Sequence, residues 1–70
     1  MTLNEAQTGK EYIVRDIATQ DAEMDAFLFS LGCFVGESIR VITHLKGGPI
    51  VTVKDSRYQI DRALAAAIIV

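Results

Sequence analysis

Residues 30–41 read SLGCFVGESIRV, a join where one hydrophobic periodicity ends and another begins. Upstream of it, Met24, Phe27, Leu28 and Leu31 recur at i, i+3, i+4 and i+7, one face of a 3.6-residue repeat. Downstream, ESIRVITHL alternates: Ile39, Val41 and Thr43 on one face, Arg40, Ile42 and His44 on the other. That is the period of a strand. Gly32 stands where a left-handed residue ends a helix, and Gly36 gives the chain a second point at which to reverse. The stretch therefore predicts a helix over about 22–31, an apolar bend and a strand start. Asp21 is placed to cap the helix, with Glu23 and Asp25 at the positive end of its dipole.

On the N-terminal side, EYIVRDI is rich in β-formers and predicts a first strand over about 11–17, followed by an ATQD loop. Residues 1–10 read as a polar lead-in with Leu3 as its anchor. On the C-terminal side, KGGP is a turn, IVTVK a second alternating strand, DS a tight turn and RYQI a third strand. Three consecutive strands with short connections form an antiparallel meander. Asp61 caps a helical turn in DRALAAAI whose Leu64, Ala65 and Ile68 share a face, and IIV adds a last strand. The order predicts a single, mainly β domain over 1–70. Its expected form is a small, partly open β-barrel of about five strands closed by the terminal strand, with one α-helix over one end and a short C-terminal helical turn.

Composition narrows the function classes. Half of the 70 residues are apolar, enough for a compact core, but a core of this size leaves little volume for a deep pocket with converging polar groups. Size thus favours a binding or adaptor module over an enzyme. One cysteine cannot form an internal disulfide. MTLNEAQTGKEY has no apolar signal region, and ALAAAIIV is far short of a bilayer span. The expectation is a cytoplasmic protein that is not membrane-inserted. Residues 1–25 hold two basic and six acidic side chains, whereas residues 26–70 hold five and three. A nucleic-acid footprint is more strongly basic and clustered, so no nucleic-acid partner is expected.

The chemistry-bearing residues are few. Cys33 follows a helix C-terminus, whose negative dipole end disfavours a thiolate, and its neighbours Phe34 and Val35 point to burial. It reads as a small hydrophobe at a corner. A structural zinc site takes about four ligands in closely spaced Cys/His pairs, and none is present. His44 with carboxylates such as Asp55 is the only metal candidate, and no spacing picks those partners out. KGGP lies between strands and lacks a Walker A pattern. The acidic group Asp16, Asp21, Glu23 and Asp25 lacks EF-hand spacing. Ser30, Ser38, Thr43, Thr52 and Ser56 have no triad context. Tyr58 beside Arg57 reads as cross-strand packing. Phe29 points away from the expected buried helix face, which makes it a candidate contact for a partner protein.

Taken together, LFSLG, CFVGESIRVI, GGP before IVTV, and YQIDRALAAAIIV resemble the FeoA-type domain of ferrous iron transport, from about residue 11 to residue 70. Leu28, Leu31, Gly32 and Gly36 match its Leu-x-x-Leu-Gly…Gly signature. Gly48 and Pro49 match its turn, and Ala66, Ile68 and Val70 its closing motif. The resemblance implies an SH3-like barrel and a cytosolic accessory role. The implied partner is a FeoB-type ferrous iron transporter, a membrane protein with a GTP-binding domain, which would recruit the chain to the inner face of the membrane. Such a protein binds the transporter and influences its assembly or nucleotide cycle, with no catalytic residue and no cofactor. Related domains end DtxR-type metal-dependent repressors, so the alternative is a module that binds a transition metal ion directly, through His44 and nearby carboxylates. No helix-turn-helix segment is present, which favours the standalone transport form. Cys33 replaces a branched aliphatic residue of the pattern and Val35 a proline, leaving the bend less rigid.

Overall fold

The computed structural model describes residues 1–70. In chain order the elements are a 3-10 turn at Leu3–Glu5, strands β1 (Glu11–Ile13) and β2 (Asp16–Ile17), helix α1 (Ala22–Leu31), and strands β3 (Ser38–Leu45), β4 (Gly48–Val53) and β5 (Ser56–Gln59). Helix α2 (Arg62–Ala65) and strand β6 (Ile68–Ile69) complete the chain. Two antiparallel sheets result, one ordered β1-β3-β4-β5 and the other pairing β2 with β6. They do not close on one another, which makes a partly open barrel.

The helix occupies the span expected of it. The Asp21 carboxylate accepts from the Glu23 N–H at 2.9 Å at its start. At its end Gly32 adopts φ 86° and donates to the Phe29 carbonyl, while Cys33 N–H donates to Leu28 O at 2.9 Å. This is the paired Schellman closure, which brings the residue after the glycine against the residue five positions earlier. Cys33 and Leu28 are both about 1% exposed. The bend continues to Gly36, whose N–H donates to Val14 O at 2.9 Å.

The expected strand over 11–17 is broken. Glu11–Ile13 pairs with β3, whereas Asp16–Ile17 pairs with β6. At the corner, Val14 N–H donates to Glu37 O and Arg15 N–H donates to Ile69 O at 2.7 Å. One hydrophobic run thus serves both sheets, giving six strands where about five were expected.

Strand β3 departs from simple alternation too. Arg40 and Val41 oppose Thr52 and Val51, but Thr43 opposes Ile50, leaving Ile42 as an extra residue at a bulge. Beyond the bulge Thr43 lies opposite the half-buried Ile50, and the exposed His44 opposite the buried Pro49. The second tight turn is Lys54–Asp55, one residue earlier than DS. Both residues have positive φ (49° and 67°), the conformation of a two-residue type I′ hairpin.

Thirteen apolar side chains form the core. Leu3, Val41, Val51, Ala65 and Ile68 are completely enclosed. Leu64, Ala65 and Ile68 do face inward together. The chain ends are tied into this core: Thr2 bridges Ile69, and Val70 N–H donates to Met1 O at 2.9 Å.

The buried face of α1 is narrower than the expected Met24–Phe27–Leu28–Leu31 stripe. Only Leu28 is buried and Leu31 half-buried; Met24 is exposed, and Phe27 is 51% exposed. A ten-residue helix held to a barrel end by one leucine and its C-terminal closure presents most of its surface outward.

Candidate functional site

Helix α1 and the bend after it carry four exposed large apolar side chains, Met24, Phe27, Phe29 and Val35, and make up the candidate contact surface. Phe29 is 68% exposed, as its helical phase leads one to expect. Its ring is nevertheless held: it stacks on Phe34 with centroids 5.0 Å apart. The Lys54 ammonium lies 5.6 Å from the Phe34 ring centroid and 3.1 Å from a Glu37 carboxylate oxygen. The Lys54 stem passes over Gly32 so closely that a Cβ there would stand 2.9 Å from its Cδ. The helix stop, the bend and the β4–β5 turn are thereby joined under the exposed ring. Phe34, Lys54 and Glu37 were not legible as a unit. They lie up to 20 positions apart in sequence, and only the hairpin geometry brings Lys54 over the bend.

The other candidates separate from this surface. Cys33 is buried, and burial pushes its thiol up to about 11, which disfavours the thiolate that a nucleophile or metal ligand needs. His44 Nε2 lies 2.7 Å from the Ala6 carbonyl oxygen. A carbonyl only accepts, so Nε2 carries the proton there and Nδ1 alone is free. No group of three or more His, Cys, Asp or Glu side chains comes together anywhere in the chain, and His44, in β3 opposite Pro49 at the start of β4, lies at the other end of that strand from the Asp55 turn. The outer face of the large sheet carries a cross-strand row, Glu11–Arg40–Thr52–Arg57, with a loose Arg40–Glu11 pair at 3.9 Å. No helix is long and apolar enough to cross a membrane.

The family-signature positions are mostly structural. Leu28 anchors the helix, Leu31 is half-buried, Gly32 closes the helix and Gly36 sits in the bend. Gly48, Pro49 and Ile68 are buried, Val70 is half-buried and Ala66 is exposed.

This architecture has solved counterparts. An iron uptake regulatory protein of the FeoA type superposes with a TM-score of 0.84 at 28% identity, over 96% of this chain and 88% of the other. A zinc-complexed FeoA from Stenotrophomonas maltophilia, described as a prokaryotic SH3 domain protein, gives 0.83 at 22% identity, over 99% and 87%. A manganese-dependent transcriptional repressor gives 0.87 at 21% identity, but this chain spans only 39% of it. No curated protein matches the chain significantly. The fold is thus that of a small SH3-like barrel. The FeoA domain model matches residues 1–70, and the chain belongs to the FeoA family, whose members are linked to ferrous iron transport.

Proposed function

We propose that this chain is a non-enzymatic adaptor of ferrous iron uptake. It docks on the cytosolic part of a FeoB-type transporter through the exposed side of α1, with Phe29 as anchor, and modulates the transporter's assembly or nucleotide cycle. The observation that carries this reading is the Phe29 ring, 68% exposed yet stacked on Phe34. A large aromatic already fixed before contact loses little rotamer entropy on binding, the usual property of an interface anchor. The test is capture of the transporter's cytosolic domain by the wild-type chain and by Phe29→Ala. Loss of a buried anchor costs about 2 kcal/mol or more, roughly 30-fold in affinity. Undiminished capture by the folded variant removes Phe29 from the account, and no capture by either protein refutes the adaptor.

A second reading, direct metal binding, fits the likeness to a manganese-dependent repressor, and His44, with Nδ1 free, is its candidate ligand. It predicts that anaerobic titration with Fe²⁺ or Mn²⁺ perturbs His44 resonances, with loss of the effect in His44→Ala. Absence of perturbation at millimolar metal rejects it.

A further inference from the structure

We infer that Lys54 is a positioning residue for the contact surface: it holds the Phe34 ring and, through that ring, the exposed Phe29. That Phe29 meets a partner rests on the adaptor reading; the hold of Lys54 on the two rings does not.

Lys54 stands where its own backbone does not favour it. With Asp55 it forms the β4–β5 turn, at φ 49° and 67°. A type I′ turn selects asparagine, aspartate or glycine, because other side chains crowd the backbone in the left-handed region. Asp55 fits that preference and the lysine does not. A residue that breaks its local rule is accounted for by contacts it makes elsewhere.

Those contacts all lie over the bend after α1. The lysine stem runs against Gly32, where a Cβ would stand 2.9 Å from Cδ and 3.1 Å from Cε. The ammonium is 3.1 Å from a Glu37 carboxylate oxygen and 5.6 Å from the centroid of Phe34. It is the only cation seated on either ring of the pair. Phe34 then stacks on Phe29 with centroids 5.0 Å apart and planes at 30°. Leu28 is the one buried residue of α1, so the helix body offers Phe29 no core to pack into. Phe34 is half-buried and supplies the fixed surface that Phe29 lacks. The Lys54–Glu37 pair is itself largely exposed and adds little to stability. What the lysine sets is the placement of the rings, and a ring placed in advance loses less freedom when a partner covers it.

The test compares Lys54→Asn, Lys54→Met and Lys54→Arg in the full chain. Urea unfolding, NMR relaxation of the aromatic rings and capture of the transporter's cytosolic domain are the three measurements. Lys54→Asn suits the turn and should unfold no earlier than Lys54→Met, which keeps the strained backbone without the charge. In both, the order of the Phe34 and Phe29 rings is expected to fall and capture to weaken roughly two- to ten-fold, the range for immobilising one more side chain on binding. Lys54→Arg keeps a cation over Phe34 and restores both. In a chain carrying Phe34→Ala, Lys54→Met has no further effect on Phe29 or on capture, because the lysine acts through that ring. The inference is overturned by unchanged Phe29 order in folded Lys54→Asn and Lys54→Met, by full capture in both, by no rescue in Lys54→Arg, or by an undiminished Lys54→Met effect beside Phe34→Ala. If the wild-type chain captures no transporter while the rings loosen in Lys54→Met, the adaptor fails and the positioning role stands.

Discussion

Gly48→Ala brings a methyl carbon inside the van der Waals sphere of the Ile60 carbonyl oxygen and to 2.8 Å from Asp61 Cα. Both are backbone atoms, and that segment is held in place by Ile60 N–H donating to Pro49 O at 3.0 Å and by the Asp61 cap of α2. No rotamer change relieves the clash; the backbone of β4 or of the β5–α2 link must move. Gly48 also has φ 129°, a region L-residues rarely enter. Overpacking of this kind costs about 1–3 kcal/mol, and the strained backbone about 1–3 kcal/mol more. A 70-residue domain has roughly 4–10 kcal/mol of stability at about 0.05–0.15 kcal/mol per residue, so the variant is expected to lose a large part of it. Urea unfolding monitored by circular dichroism reads the change as a drop in midpoint at constant slope. The adjacent Gly47→Ala is the control. Its Cβ meets only the flexible Gln59 side chain, at 3.4 Å, and its φ lies outside the left-handed region, so its change stays within about 0.5 kcal/mol. If the two variants unfold within about 1 kcal/mol of one another, the close approach of β4 to the α2 cap is not what makes Gly48 necessary.

Two further outcomes follow from the core. Leu3→Ala removes a completely enclosed side chain near the chain start and should cost about 2–5 kcal/mol in the same assay; a change below about 1 kcal/mol means that the first turn is not part of the cooperative core. Cys33 has a raised folded-state pKa, from an ordinary value of 9.0 to about 11, because burial disfavours the thiolate. Its contribution is therefore fully present below pH 9 and lost as pH rises toward 11, since the unfolded thiol ionises first. The loss is roughly 2–3 kcal/mol across that window, and Cys33→Val, which should fold and bind like wild type, lacks that component. Identical pH profiles for the two proteins contradict the buried-thiol account, and loss of partner binding by folded Cys33→Val would return Cys33 to a chemical role.

Local signals located the elements, and long-range geometry decided their faces. Asp21 and Gly32 bounded α1 because capping and the left-handed closure act within a few residues. The turn at Lys54–Asp55 was misplaced by one position because glycine, the usual carrier of positive φ, is absent and two non-glycine residues adopt it instead. The bulge at Ile42 and the break at Val14–Arg15 leave no trace in the hydrophobic pattern: Val14 fits a strand either way, and only pairing with β3 and β6 divides it. The same holds at the candidate site. Phe29 was legible from its helical phase. The exposure of Phe27 was not, because the apolar periodicity of α1 promises a wider buried stripe than one barrel end can cover. The Phe34–Lys54–Glu37 support depends on a hairpin turn folding back over the helix stop.

The most direct test of the adaptor account is the amide spectrum of the labelled chain titrated with the cytosolic domain of a FeoB-type transporter. The account predicts broadening and shifts concentrated at Ala22–Leu31 and through the bend to Glu37, with the outer row Arg40–Thr52–Arg57 and His44 unchanged. Perturbation centred on that sheet face or on His44, with α1 silent, would contradict it.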